Sequence, residues 1–398
     1  MSGQARHFVL VAGEASGDVL GARLIAALRQ RHHGELKFSG VGGVQMAGEG
    51  MDSLFPIADL SVMGLAEILP RVPLLLRRLR ETCLHVKTVR PSALITIDAP
   101  GFSFRLAKRL AGDGIPLIHY VAPQVWAWRP GRARHLAGRI DHLLALLPFE
   151  PDFFRDYDLP CDFVGHPVIE GVAEAPGNGP EFRRGLAIPS AAPVLALLPG
   201  SRVGEVSRLL PVFGQVAALL HAQRPGLQVV IPTVEQVAGV VAAAIADWPI
   251  PTHLVEGTAR RADAFAAADV ALAASGTVSL ELALRGIPTV VAYRTNPFTA
   301  ALVRRMLIIP HVALPNILAK KAVVPEFLQQ DCRAEPIAAA LAKLLDDPDE
   351  RSRQREALAD VAEMLGQGGT LPSLRAADAV LQIIADGSVG RIEDNAGK

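Results

Sequence analysis

Asp98 closes a short apolar run, Ala93 to Ile97, and is followed by Ala99-Pro100-Gly101. A carboxylate at the carboxyl end of a buried strand, held by a Pro-Gly turn, is placed to act as a general base. An aspartate that only caps a turn has the same local sequence. Farther along, Ser275-Gly276-Thr277 separates the apolar run Val270 to Ala273 from a helical segment that starts at Val278. Such a turn aims unpaired backbone N–H groups and the positive end of a helix dipole at its occupant, which suits an anion such as a diphosphate. Glu281, about one turn into that helix, can accept two hydroxyl hydrogen bonds from a ribose. An ordinary connection between strand and helix would read the same way.

Further candidates sit at equivalent places. The run His7 to Ala12 leads into Gly13-Glu14-Ala15-Ser16-Gly17-Asp18, where Glu14 and Ser16 stand at a strand end. The glycine spacing 13, 17, 21 is wrong for a dinucleotide fingerprint, and Gly40-Val41-Gly42-Gly43 is a weak signal. The run Val194 to Leu198 meets Pro199-Gly200-Ser201-Arg202, and an arginine there can clamp a leaving phosphate. Gln124, Trp126 and Trp128 are followed by Arg129, Arg132, Arg134 and Arg139 with no acid among residues 129–140. This loop can dock a sugar on an indole face and a phosphate on arginines, or wedge two domains together. Asn316, in the loop-like Leu314-Pro315-Asn316, can bond a sugar hydroxyl or a phosphate, or simply form a turn.

These residues need a scaffold of alternating strands and helices, and the chain supplies two. A length of 398 residues exceeds one usual core. Residues 171–193, rich in Pro and Gly, separate two sets of βα units. The expected class is α/β, with two doubly wound Rossmann-like domains facing each other across a cleft: 1–168, 169–365, and a terminal helix in 366–398 that crosses back to the first domain or to a partner subunit. The last residues, GSVGRIEDNAGK, read as a frayed end.

Forty basic and forty acidic residues cancel, so no global field recruits nucleic acid. Cys83, Cys161 and Cys332 are odd in number and far apart, which argues against a disulfide framework or a zinc cluster and for a reducing cytosol. The N-terminus lacks the pattern of a signal peptide, and no run of about 20 uncharged apolar residues is present. Peripheral attachment stays open. Between Arg71 and Arg90 the bases Arg71, Arg77, Arg78, Arg80, Lys87 and Arg90 meet one acid, Glu81, among many leucines. Leu75, Leu76 and Leu79 with Arg77, Arg78 and Arg80 can rest on an anionic lipid surface or grip an acylated ligand. A core helix with a solvated basic face is the other reading, and Pro73 is the expected start of that helix. No Asp-x-Asp lies near the candidate loops, so the sequence asks for no metal and no cofactor.

The ordered set VAGEASGDVLGA (11–22), GVGG (40–43), IDAPGF (97–102), IHYVAPQVWAWR (118–129), LPFE (147–150), FVGHP (163–167), LLPGSR (197–202), ASGTVSLE (274–281) and LPNILA (314–319) resembles the bacterial lipid-A-disaccharide synthases. The resemblance implies a metal-independent, inverting glycosyltransferase of the GT-B type. It implies UDP-2,3-diacylglucosamine as donor, 2,3-diacylglucosamine 1-phosphate as acceptor, and UDP and a β-1,6-linked disaccharide 1-phosphate as products. By family position Asp98 is the leading candidate for the base, with Glu14, on the first-domain loop, the other catalytic candidate. Arg202, Ser275, Gly276, Thr277, Glu281 and Asn316 fall on the donor side, and Ser16, Gln124, Trp126, Arg129 and Arg132 on the first-domain loops. Many relatives carry a second acid where this chain has Gly101, and Asp98 is the one retained. The lipid substrates turn the segment 65–90 into an expected contact with the cytoplasmic face of the inner membrane. A homodimer is compatible with all of this. The rivals are a UDP-GlcNAc 2-epimerase, which has no use for an apolar acceptor segment, and a catalytically idle UDP-sugar-binding or membrane-scaffolding protein.

Overall fold

The computed structural model describes residues 5–61, 65–296 and 309–385. The chain forms two compact units, one of Met1–Pro167 with Thr370–Lys398 and one of Val168–Gly369. The tail from residue 387 lies outside the described residues.

The first unit is built on a parallel sheet of β1 (Arg6–Ala12), β2 (Leu36–Val41), β3 (Asp52–Ser53), β4 (Ala93–Ile97), β5 (Leu117–Tyr120), β6 (His142–Ala145) and β7 (Cys161–Phe163), in the order β3-β2-β1-β4-β5-β6-β7. Continuous apolar runs form its centre because both faces are covered. Phe8, Leu10 and Ala12 pack with the helices Ala15–Arg31 and Pro372–Ala385. Val9 and Val11 face the other way, toward Leu79, Cys83 and Val86 of the helix Leu65–Val89 and Leu106 and Leu110 of the helix Pro100–Leu110. The C-terminal helix is fixed to this unit at its edge as well. Arg31 pairs with Asp378 at 3.0 Å, and the Arg375 guanidinium lies over the Phe163 ring while donating to the Phe163 carbonyl.

The helix Leu65–Val89 starts eight residues before Pro73 and contains both Pro70 and Pro73. Each proline deletes a ladder N–H, yet the helix continues because Leu79, Cys83 and Val86 are seated in the core.

The second unit repeats the plan with β8 (Val194–Leu198), β9 (Gln228–Pro232), β10 (Thr252–Val255), β11 (Val270–Ala273), β12 (Thr289–Tyr293) and β13 (Glu326–Leu328), in the order β10-β9-β8-β11-β12-β13. Leu195 and Leu197 pack against the helices Val203–Gln223 and Ala334–Asp346, and Val194, Ala196 and Leu198 against Thr258–Ala267. Among the described residues, Val203–Gln223 is the one helix of 18 residues or more that is apolar enough to cross a membrane. Its apolarity is spent inward, with Val206, Leu209, Phe213, Val216 and Leu220 buried in the core.

All neighbouring strands in both sheets run parallel. In such sheets ligands bind outside the carboxyl ends of the strands, where the strand order reverses. The reversal falls between β1 and β4 in the first sheet and between β8 and β11 in the second.

Candidate active-site loops of the two sheets

At the first reversal, Ala12 of β1 is in register with Ile97 of β4, so Gly13-Glu14 and Asp98-Ala99 leave the sheet side by side. The approach is close enough that a Cβ on Gly13 would lie 2.3 Å from the Ala99 Cβ, so position 13 must be glycine. Asp98 and Ala99 are both left-handed, with φ of 51° and 47°. Two consecutive non-glycine residues in that region cost energy and mark a turn held by its surroundings. The Asp98 N–H donates to the Tyr120 carbonyl, and the Ser103 hydroxyl donates to the Asp98 carbonyl at 2.7 Å. Pro100 then begins the next helix with its fixed φ.

Burial raises the Asp98 carboxyl above the ordinary carboxylate value, opposed by a hydrogen bond from the Ala99 N–H. A carboxylate with a raised proton affinity is what a general base needs. Glu14 precedes the helix Ala15–Arg31 without capping it, and Ser16 is exposed in the first turn of that helix.

Beside these loops lies a cavity of about 320 Å³. Glu14, Ala99, Pro100 and Gly101 form one side, and Val72, Leu75, Leu76 and Leu79 of the helix Leu65–Val89 another. Leu60, Phe102 and Arg105 complete it, of which Leu60 and Arg105 lie outside every motif quoted above. Leu79 is also part of the core. Of the three expected surface arginines, Arg77 and Arg80 are exposed. Arg78 is instead held by Asp59 and Glu81, each at 2.8 Å, and lies over the Phe55 ring. It fastens the helix to the unit, a role set by Asp59, which is distant in sequence.

The tryptophan loop is split between inside and outside. Trp126 is only 7% exposed, packs edge-on against Phe149 and donates its indole N–H to Glu150 at 3.0 Å. Its face is therefore not open to a sugar. Trp128 is 38% exposed, with Arg129 and Arg132 over its ring at 5.0 and 5.4 Å. Gln124, Arg129 and Arg132 are exposed. Glu150 also accepts from the N–H groups of Leu146 and Leu147, and burial pushes its carboxyl up to about 7 against these bonds.

At the second reversal, Ala273 of β11 is in register with Leu198 of β8. Gly200, with φ of 113°, turns the chain so that Arg202 precedes the helix Val203–Gln223. The Arg202 side chain is 66% exposed and reaches Glu205 only at 3.9 Å, which leaves it available to an incoming anion. Across the reversal, Ser275 donates to the Val312 carbonyl at 3.1 Å, and Thr277 is exposed just before the helix Val278–Leu284. Gly276 separates them. Glu281 is paired with Arg261 and, at 3.5 Å, with Arg285. Arg285 also holds the carbonyls of Ala175 and Pro176.

Asn316 does not sit in an open loop. It belongs to the helix Leu314–Ala319 and is fully buried. Its oxygen accepts from the N–H groups of Val323 and Val324, and its amide donates to the Val324 carbonyl and to Glu326. That uses its hydrogen-bonding capacity within the chain. Glu326 in turn accepts from Val312 and Ala313, so Asn316 supports the segment bonded to Ser275. Asn316→Ala is expected to lower unfolding stability by about 2–4 kcal/mol, because it strands several buried partners at once. Thermal and urea unfolding would check this, and an unchanged midpoint would refute it.

Two parallel-sheet units with loops gathered at both strand reversals define the GT-B class of glycosyltransferases and their epimerase relatives. The solved UDP-GlcNAc 2-epimerase from Neisseria meningitidis bound to UDP-GlcNAc matches with a TM-score of 0.65 at 12% identity, over 96% of this chain and 100% of that one. MurG from Acinetobacter baumannii matches with a TM-score of 0.56 at 15% identity, over 95% of this chain and 99% of that one. These two likenesses establish the fold. The family is set by sequence: the lipid-A-disaccharide synthetase family model matches residues 8–380. A lipid-A-disaccharide synthase from Rhodospirillum centenum is 54% identical over 377 residues, 94% of each chain. The chain belongs to the lipid-A-disaccharide synthetase family and is a glycosyltransferase.

Proposed function

We propose that the chain transfers 2,3-diacylglucosamine from UDP to the 6-hydroxyl of 2,3-diacylglucosamine 1-phosphate, with the first unit taking the acceptor and the second the UDP-sugar. The carrying observation is the largely apolar cavity lined by Ala99, Pro100 and Gly101, which gives an acyl group a place against the turn that follows Asp98, a carboxylate of raised proton affinity. Asp98 removes the proton from the acceptor 6-hydroxyl as its oxygen attacks the donor anomeric carbon. The bond from that carbon to the diphosphate oxygen breaks, its electron pair leaves with UDP, and inversion gives the β-linkage. Arg202 and the Ser275 to Thr277 turn receive the departing charge. Glu281 meets the ribose, with Arg261 and Arg285 fixing its position.

The test is to incubate the protein in detergent and excess EDTA with both lipids, following UDP and lipid mass together. Formation of the disaccharide 1-phosphate with UDP supports the reading. Release of UDP without it would point to hydrolysis or epimerase-like chemistry, and no release with UDP still bound would point to an idle binder.

The helix Leu65–Val89 is the proposed contact with the cytoplasmic face of the inner membrane, through exposed Val72, Leu76, Arg77 and Arg80. Each basic residue near an anionic surface is worth about 1 kcal/mol. Arg77→Ala with Arg80→Ala should weaken binding to anionic vesicles by roughly 30-fold. Unchanged binding in a flotation assay would refute the contact. Arg78 is left in place because its ion pairs hold the helix.

A further inference from the structure

Glu150 has no part in the reaction as described, yet it is a fully enclosed carboxylate, 2% exposed. The groups bonded to it are three N–H donors: the Trp126 indole at 3.0 Å and the Leu146 and Leu147 amides at 3.1 and 2.9 Å. Burying a carboxylate without a cation is costly, so this one must do something an apolar residue would not.

Its partners belong to two different connections. Trp126 lies in the connection after β5, and Leu146 and Leu147 directly follow β6. The connection after β5 has little regular structure of its own. It leaves the strand through Val121 at φ of 80° and contains only the single turns Val125–Ala127 and Pro130–Arg132 before the helix Ala133–Ala137. Two residues beyond Trp126, Trp128 carries the guanidinium groups of Arg129 and Arg132 on its ring. The strand that leads into this connection is bonded to the backbone of the base, since the carbonyl of Tyr120, the last residue of β5, accepts the Asp98 N–H.

We propose that Glu150 is a positioning residue: by tying the Trp126 indole to the turn after β6 it sets where Arg129 and Arg132 meet the acceptor phosphate. This rests on the reading that the phosphate docked on the arginines of this loop is the 1-phosphate of the acceptor. A carboxylate is required because three donors converge on two oxygens. Glutamine supplies one acceptor oxygen and turns an amide NH2 donor toward the N–H groups that the other oxygen held. Above the raised value of about 7 the carboxylate is ionised, and its bond to the indole is then charge-assisted and stronger than a neutral one.

The test uses the full chain with donor and acceptor lipids varied separately. Trp126→Phe keeps the aromatic packing on Phe149 and removes one bond, while Val125 and Ala133 remain buried to hold the loop ends. Glu150→Gln keeps one acceptor oxygen, so it loses either the indole bond at Oε1 or the two amide bonds at Oε2, and the tie between the two connections breaks either way. Both variants are expected to raise the acceptor KM, Trp126→Phe by roughly tenfold for one lost charge-assisted bond. The donor KM and the Kd for UDP stay unchanged. A purely structural role would instead reduce the fraction of active enzyme and leave both KM values alone. Arg132→Ala separates the proposal from the reading beneath it. If Arg132→Ala raises the acceptor KM and folded Trp126→Phe does not, Glu150 is not a positioning residue. If Arg132→Ala leaves the acceptor KM unchanged, the loop does not receive the phosphate and the proposal falls with it.

Discussion

Asp98→Asn lowers kcat by about 10²- to 10⁴-fold, the range supplied by one positioned general base, and leaves UDP binding intact. The amide keeps the size of the carboxylate and cannot take the 6-hydroxyl proton. Asparagine also tolerates the left-handed backbone that this position requires. The same substitution should raise thermal stability at neutral pH. Burial lifts the Asp98 carboxyl above its unfolded value, so the fold favours the protonated form. That contribution is complete below the unfolded value and is lost as pH rises through the folded one. At neutral pH the wild type holds a disfavoured charge, and the amide removes it. Activity has the opposite sign, because the base works only when ionised. The acid limb of the kcat profile should therefore lie above the ordinary carboxylate range. Near-normal turnover in folded Asp98→Asn would reject Asp98 as the base.

The apolar runs made both sheets legible, since strands covered on two faces need no alternation and stand out as short hydrophobic blocks. The places of Asp98, Ser275 and Arg202 after strands were legible for the same reason: Asp98 follows such a block directly, and the other two lie in the turns that leave one. Strand order was not, because a run of valines and leucines does not say which neighbour it pairs with. That order is what puts the Gly13-Glu14 turn beside Asp98-Ala99, and the connection carrying Arg202 beside the one carrying Ser275. Burial at single positions was also hidden. Trp126 and Trp128 look equivalent in the chain, and the difference comes from Phe149 and Glu150 on another connection. Asn316 looked like a turn former because its partners at 323–326 are recruited from the approach to β13. Arg78 looked like one more base in a basic segment until Asp59 met it. In each case a polar side chain took its role from a residue outside its own turn or helix.

Arg202→Ala is expected to lower kcat by roughly 10²- to 10³-fold, the effect of removing one preorganised donor to developing negative charge. The position explains the size. Arg202 stands at the strand reversal of the second sheet, immediately before a 21-residue helix whose dipole adds to the positive field. Its guanidinium is loosely placed against Glu205, so little is lost when it moves to a phosphate. Charge on the diphosphate oxygen grows as the bond to the sugar breaks, so the interaction is stronger in the transition state than with bound donor. The loss should consequently fall more on kcat than on the donor KM. Arg202→Lys should restore part of the rate, because an ammonium supplies the charge without the two-pronged donor geometry. If Arg202→Ala raises the donor KM with kcat unchanged, the arginine binds substrate and transition state equally. The helix dipole and the Ser275 to Thr277 turn would then have to carry the departing charge.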